Sequence, residues 1–518
     1  MRLARLFTAQ QRWLDLLVVL ALCVPLCYLV VTVPNDGYRI THTADNAWYM
    51  NRADLIWRGI LDDAFVYNFF HPAFMGAINQ VVHELPLAAI IVNWIGLAGV
   101  ISGTYLLGRV YYNRGIAWLA VLVISTNLGL YQSALLLHPF LFMQALLVWT
   151  VLAAWALSRW HTSLAAVGLG MILVLALYTR LEGGAYSLLI FIAGWQIYRD
   201  TRNWWLAVRL GAISAVMVGA GLLAYAVVLF SNSDSGGSAF WFTASFRTNA
   251  VFWDAVSRRW METIQFMAMK WPVWAWAVAV AGVIWSPPRL QPASLLFAGL
   301  TLLHIAYLFL LSTWPAERYA NNSLAFFALL FAAALWQFHR RWRHGWPAIP
   351  LAMVAIMLPG MIQVQRFGDR VANFADYWDY EIAEDAQAID AWLKSQGLRD
   401  TEIFTLCQRL LSFSYSHFHL IYRLTLTSLD EPTLWNSPKQ LLPYLRQQGK
   451  LFMTCDERVW YLDWLDYFEN PQAYDHQLEE IGRVGDYIFY QPVFIALTNV
   501  NSPQKIAPLF PPFMYDEW

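Results

Sequence analysis

Charge is scarce in this chain. Asp, Glu, Lys and Arg make up only 13% of its 518 residues, about half the share of a typical soluble domain. Hydrophobic residues reach 58%, so an ordinary soluble fold is excluded. Cysteine is also sparse, at four. Cys23 and Cys27 fall in an apolar run, where thiols pack as small apolar groups. Cys407 and Cys455 stand at the ends of strand-like runs, so a structural disulfide is open and a catalytic thiol is not expected. No cleavable signal is visible, because Trp13–Val33 is too long for a signal core and lacks a small-residue cleavage site. No internal repeat is present, which weighs against a secondary transporter. Acids and bases are nearly missing from the middles of the apolar runs, which weighs against a charged path through a bilayer.

What charge there is divides unevenly. Residues 363–518 hold 22 of the 35 acids and 12 of the 34 bases, whereas residues 1–362 hold 13 acids and 22 bases. The first part reads as apolar runs of about the 20 residues needed to cross roughly 30 Å of hydrocarbon. The expected spans are 13–34, 86–108, 115–133, 135–158, 163–179, 183–198, 205–230, 271–286, 293–313, 320–338 and 346–362. The chain is therefore expected to be an α-helical polytopic membrane protein with about eleven transmembrane helices, over residues 1–362. With the N-terminus inside, thirteen arginines face the cytoplasm, among them Arg109, Arg159, Arg202, Arg340 and Arg341. Only Asp15 and Asp200 oppose them there, while the outer segments hold nine bases and eleven acids. This bias satisfies the positive-inside rule and places residues 363–518 outside. The 28 tryptophans suit membrane–water interfaces.

Two outer loops are long. Residues 35–85 mix charge with aromatics. Residues 231–270 open on a Ser/Gly-rich stretch and continue as an aromatic, cationic segment from Phe240 to Lys270. That segment suits either an interfacial anchor or the wall of a lipid-tail site. In the tail, Asp385–Gln396 is an amphipathic helix ending at Gly397. Strand-like runs follow at Glu402–Cys407, Tyr422–Thr427, Lys450–Cys455 and Tyr487–Tyr490, separated by helical stretches, which predicts an extracytoplasmic α/β domain.

Six charged or titratable residues gather at helix ends on the outer side: Asp45, His71, Arg180, Glu182, Glu317 and Arg318. Charge at membrane depth is costly and is usually functional; water-satisfied interfacial charge is the plainer alternative. Several short motifs carry a resemblance here. Thr43-Ala-Asp45-Asn-Ala-Trp-Tyr49 with Ala53 and Gly59, then His71-Pro72-Ala-Phe74, Tyr178-Thr-Arg180-Leu-Glu182-Gly183 and Glu317-Arg318-Tyr319 follow one another in order. Together they resemble the GT-C class of membrane glycosyltransferases, such as protein O-mannosyltransferases and aminoarabinose transferases, which use lipid-phosphate-linked sugars.

The resemblance implies a polyprenyl-phosphate-linked monosaccharide as donor and a lipid, polysaccharide or protein hydroxyl as acceptor. The implied place is the outer face of a bacterial cytoplasmic membrane, and no nucleic acid is expected. Asp45 is then the base. Arg180 and Arg318 clamp the donor phosphate, aided by His71 and Tyr319, while Glu182, Glu317, Tyr49 and His138 support them. The family often pairs two acids in the first loop, but Asn46 follows Asp45 here. Many members place an acid near the outer end of the fourth span, where this chain has His138. Both departures argue against a divalent metal. His71, beside a proline, reads more readily as a capped loop residue than as a phosphate ligand.

Residue chemistry agrees. A phosphate with a second pKa near 6 leaves readily, so no general acid or cofactor is required. A base for the acceptor and cations for the growing phosphate charge are required. Desolvation strengthens a carboxylate base, and guanidinium binds phosphate through two parallel hydrogen bonds. The rival readings are a transporter or flippase of lipid-linked sugars, and a non-catalytic membrane subunit with a binding tail.

Overall fold

The computed structural model describes residues 49, 53, 56–57, 69–83, 85–135, 139–232, 264, 267–268, 270–310, 321–341, 348–372, 388–389, 391–398, 403–405, 418–420, 438–454, 467–468, 470–485 and 487–494. The chain forms two compact units. One comprises Met1–Thr41 and Arg52–Phe374; the other comprises His42–Asn51 and Ala375–Trp518.

The first unit is helical. It contains α1 (Phe70–Val82), α2 (Leu85–Tyr111), α3 (Arg114–Ser125), α4 (Leu128–Leu135) and α5 (Pro139–Trp160). Then come α6 (Ser163–Thr179), a 3-10 turn (Leu181–Ser187), α7 (Leu188–Thr201) and α8 (Trp204–Asn232). The last are α9 (Val273–Ile284), α10 (Gln291–Leu310), α11 (Leu324–Arg341) and α12 (Ala348–Ala372). Among the described residues five segments are long and apolar enough to cross a membrane: Leu87–Tyr111, Pro139–Trp160, Trp204–Ala224, Asn321–Arg341 and Ile349–Arg366. The first expected span, 13–34, lies outside the described residues. The described residues of the later ones fall largely on helix, with 115–133 divided between α3 and α4 and 183–198 beginning in the 3-10 turn; α3, α6, α9 and α10 are shorter apolar segments.

Local chemistry sets where these helices begin. The Asn113 side chain accepts from Ile116 N at 3.0 Å to cap α3, and the Thr162 hydroxyl accepts from Ala165 N at 3.2 Å to cap α6. Such caps satisfy the donors a first turn leaves open. Close approach then depends on small residues. A Cβ on Gly99 would stand 2.8 Å from Ala145 Cβ, and one on Gly103 2.5 Å from Val148 Cγ1, so α2 and α5 pack backbone to backbone. Residues 324–335 of α11 are all buried. The Asn321–Arg341 span is 78% buried against 22% for Trp204–Ala224, which makes α11 the central helix and leaves α8 peripheral.

Contacts also establish which helix ends share a side. At one end Tyr112 Oη lies 3.1 Å from Ser294 Oγ, Ser286 Oγ lies 2.9 Å from Ser294 Oγ, and Gln337 Nε2 donates to Ser286 Oγ at 3.1 Å. Arg109, Arg114, Arg289, Arg340 and Arg341 sit by these junctions in the sequence; this is the arginine-bearing end. At the other end Asn127 Nδ2 donates to Lys270 O at 2.7 Å, and Asn321 Nδ2 donates to Gly129 O at 3.1 Å and to Ser133 Oγ at 2.6 Å.

The second unit is a small mixed sheet in the order β2-β1-β3-β5-β4. Its strands are β1 (Ile403–Thr405), β2 (Phe418–Leu420), β3 (Leu451–Thr454), β4 (His476–Val484) and β5 (Tyr487–Phe494), with helix α13 (Pro438–Gln447). β1 runs parallel to β2 and β3, and β5 is antiparallel to β3 and β4. Alternate residues feed two cores: Ile403, Met453 and Phe489 pack with Ile389 and Leu393, while Phe404, Phe452 and Ile488 pack with Leu441, Leu442 and Leu445 of α13. Helical residues 391–395 end at Gly397, whose positive φ of 71° lets Leu398 N reach Leu393 O at 2.8 Å.

Three details differ from the sequence expectation. His476–Val484 is a strand rather than part of a helical stretch, because pairing along β5 outweighs the weak strand preference of its charged residues. The second strand lies at Phe418–Leu420; the expected run at Tyr422–Thr427, and Cys407 and Cys455, lie outside the described residues. Finally, α12 continues past residue 362 to Ala372.

Candidate active site

The end of the helical unit opposite the arginine-bearing end is organised around the first turns of α5. Pro139 opens that helix, a position where its missing N–H costs nothing. Phe140, Phe142 and Gln144 follow, each buried and each meeting a different neighbour.

Phe142 meets α1. Its ring lies 5.7 Å from that of Phe70, 5.6 Å from Phe74 and 6.1 Å from His71. His71, in the first turn of α1, has no exposed surface. Pro72 next to it is tolerated because a first turn needs no N–H there. The segment before α1 is held by Trp57, whose Nε1 donates to Ala73 O at 2.9 Å.

Phe140 meets Arg180. The guanidinium carbon lies 4.4 Å from the ring centroid, a cation–π contact. Arg180 ends α6 in an extended conformation, φ −161° and ψ 144°, with its N–H still donating to Ala176 O at 2.9 Å. The chain re-enters helix at once, Gly183 N donating to Arg180 O at 2.9 Å. A Cβ on Gly183 would lie 2.5 Å from the Ala176 carbonyl carbon, so only glycine fits where the turn folds back on α6. The Thr-Arg-x-Glu-Gly sequence thus has a geometric reason: it stops α6, projects the arginine and doubles back. Phe69 and Tyr178, edge to face at 6.4 Å, tie α6 to the residue before α1.

Gln144 meets the end of the loop before α11, its Nε2 donating to Asn321 O. With Asn127, Gly129, Ser133 and Asn321 it forms a buried polar cluster beside Lys270, itself only 7% exposed. A Cβ on Gly129 would stand 3.2 Å from Lys270 Cδ. A buried lysine at a helix-bundle end is costly, and it puts a second cation on the side that carries Arg180.

Of the residues expected from sequence, His71 and Arg180 are brought to one aromatic shell on α5. Glu182 lies in the 3-10 turn after Arg180. Tyr49 is buried, 5% exposed, and belongs to the second unit. Asp45, His138, Glu317, Arg318 and Tyr319 lie outside the described residues. Sequence reasoning passed over Lys270, Asn127, Gln144 and Asn321. The available signals were a lysine directly before the Trp271-Pro272 helix start and the polar triplet Asn321-Asn322-Ser323 opening an apolar run.

Neither family models nor curated protein sequences match this chain. Solved structures do. ArnT from Cupriavidus metallidurans bound to undecaprenyl phosphate superposes with a TM-score of 0.58 at 12% identity, covering 96% of this chain and 99% of that one. The chain has the GT-C fold. The Archaeoglobus fulgidus oligosaccharyltransferase in complex with Zn and sulfate matches with a TM-score of 0.53 and 12% identity, over 87% of this chain and 69% of that one. The same enzyme tethered to an acceptor peptide containing the NVT sequon gives 0.50 and 11%, over 89% and 71%. Within that fold, the turn after α6 and the first turns of α1 and α5 bring Arg180 and His71 against the rings of Phe140 and Phe142, and the guanidinium gives that end a permanent positive charge.

Proposed function

We propose that the chain is an inverting glycosyltransferase that moves a monosaccharide from a polyprenyl-phosphate donor to a hydroxyl acceptor at the outer face of a bacterial cytoplasmic membrane. The observation that carries this reading is the near-full-length likeness to ArnT bound to undecaprenyl phosphate, joined to the placement of Arg180 and His71 on one shell. In this reading all eleven spans cross the bilayer, the N-terminus is cytoplasmic and residues 363–518 are outside.

The chemistry follows from the residue types. Asp45 accepts the proton of the acceptor hydroxyl as its oxygen attacks the anomeric carbon from the face opposite the phosphate. The bond from that carbon to the phosphate oxygen breaks, and the lipid phosphate leaves with the bonding pair. Arg180 and Arg318 meet the growing negative charge, where preorganised donors stabilise it without reorganisation. His71 and Tyr319 add hydrogen bonds to the phosphate, and Lys270 raises the positive potential at that end. Glu182 and Glu317, each near an arginine in sequence, orient the cations, with Tyr49 and His138 in supporting roles. No metal is required, since the arginines supply the charge a divalent ion would bring and the first loop offers Asp45-Asn46 rather than two acids. The acceptor, whether lipid, polysaccharide or protein, approaches from the aqueous side.

The test is single-turnover transfer by purified protein in nanodiscs, using undecaprenyl-phosphate sugars and an envelope extract as acceptor. Label moving from the lipid to the extract, with inversion at the anomeric carbon, is expected. A panel of lipid-phosphate sugars that bind yet never transfer would leave a flippase or binding subunit instead.

A further inference from the structure

At the arginine-bearing end, far along the helices from Arg180, α9, α11 and α12 part and leave a cavity of about 730 Å³. Its size falls in the ~300–1,000 Å³ range of ligand sites. The helices part because α9 and α11 touch through small residues: a Cβ on Gly282 would lie 2.3 Å from Ala334 Cβ. Larger side chains flank that contact and form walls. Trp274, Val278 and Trp285 line one side, and Leu351 and Ala355 of α12 line another.

The walls are apolar and open outward, with Trp285 61% and Leu351 65% exposed. Gln337, also in the lining, has its Nε2 engaged, donating to Ser286 Oγ at 3.1 Å. Charge lies only at the rim. Arg340 and Arg341, both exposed in the last turn of α11, border the cavity together with Asn113. The Asn113 oxygen is committed to capping α3, which leaves its amide N–H groups as donors. The slot from Trp274 to Trp285 runs about 16 Å along α9 at 1.5 Å per residue, about half of a ~30 Å hydrocarbon core. It therefore follows nearly the whole of α9 (Val273–Ile284).

An apolar slot running along α9 and closed at the arginine-bearing end by two guanidiniums and an amide matches one kind of molecule. We propose that this cavity binds an anionic diacyl phospholipid, with an acyl chain along α9 and its phosphate held by Arg340 and Arg341. Guanidinium suits the phosphate through paired hydrogen bonds, and basic pockets between spanning helices hold anionic headgroups in this way. Its cationic rim lies at the end of the bundle opposite the candidate active site, and the site does not depend on the chemistry proposed there.

The experiment uses the full chain, delipidated in a neutral detergent, with phosphatidylglycerol or phosphatidylcholine added back. Retained lipid is read by native mass spectrometry and stability by thermal unfolding. Phosphatidylglycerol should be retained and should raise the unfolding midpoint, and phosphatidylcholine should do neither. The pair Arg340→Gln and Arg341→Gln should weaken phosphatidylglycerol binding tenfold or more. Leu351→Trp, which fills the slot from an exposed position and keeps both charges, should weaken it similarly. Arg159→Gln with Arg202→Gln removes two charges of the same end outside the cavity and should leave binding intact. Equal retention of both lipids, an equal loss in the Arg159/Arg202 pair, or a dimer that buries this face in place of lipid would each overturn the proposal.

Discussion

Arg180→Ala removes a guanidinium that stands 4.4 Å over the Phe140 ring at the extended residue between α6 and the 3-10 turn. If that group meets the donor phosphate, its loss costs on the order of 2–4 kcal/mol, roughly a 30- to 1,000-fold fall in single-turnover rate. Phe140 contributes only by holding the guanidinium in place. A cation–π contact is worth about 0.5–2 kcal/mol, so Phe140→Leu should slow transfer roughly 2- to 30-fold. Because the ring acts through the arginine, the double variant should be no slower than Arg180→Ala alone, a coupling that independent sites would not show. Lysine should recover little, since a point charge lacks the planar fork. The assay is quenched-flow transfer on purified variants, with donor binding and thermal midpoint measured on the same samples. Parental rates for Arg180→Ala, or additive losses in the double variant, would refute the assignment.

Other expectations are as direct. Asp45→Asn should fold and bind donor, while transfer drops about 10²–10⁴-fold; near-normal transfer removes Asp45 from the mechanism. Gly183→Ala forces a Cβ to within 2.5 Å of the Ala176 backbone, at a cost of about 1–3 kcal/mol. Its unfolding midpoint should fall along with the rate, and an unchanged protein would show that the turn is not as tight as described. Reporters fused after Arg343 and at Trp518 should read cytoplasmic and external; the opposite result at either would relocate every outer residue. Chelation with EDTA should leave transfer unchanged, and a loss restored by added divalent ion would establish a metal.

The helical unit was legible because membrane-facing helices need long apolar runs, and those runs are hard to mistake. α6 reads Ser-Leu-Ala-Ala-Val through Leu-Tyr-Thr without a single charge, and its expected limits, 163–179, match the observed ones. The strands were less legible. β4 carries Glu479, Glu480 and Arg483, and what makes it a strand is pairing with β5, which no local pattern reports. At the candidate site, Arg180 stood out because it stands at a span's end within Thr179-Arg180-Leu181-Glu182-Gly183, opposite the ends where most arginines cluster. The amides did not, because Asn127, Gln144 and Asn321 draw their meaning from partners more than a hundred residues away. Lys270 was hidden similarly: in sequence it ends an aromatic, cationic loop, and only packing against Gly129 reveals it as buried.

The span of that amide cluster has a consequence for how the protein is made. Asn127 is completed by Lys270, 143 residues later, and Gln144 by Asn321, 177 residues later. As helices leave the ribosome and enter the bilayer in order, the turn after α3 and the start of α5 arrive with amides whose partners have not yet been synthesised. An amide in hydrocarbon without a partner costs several kcal/mol, so the early helices stay marked as unfinished until the loop before α11 docks. Nascent chains stopped before residue 321 should thus remain bound by membrane chaperones or be degraded, and that end of the bundle becomes sound only when nearly all of it is in place.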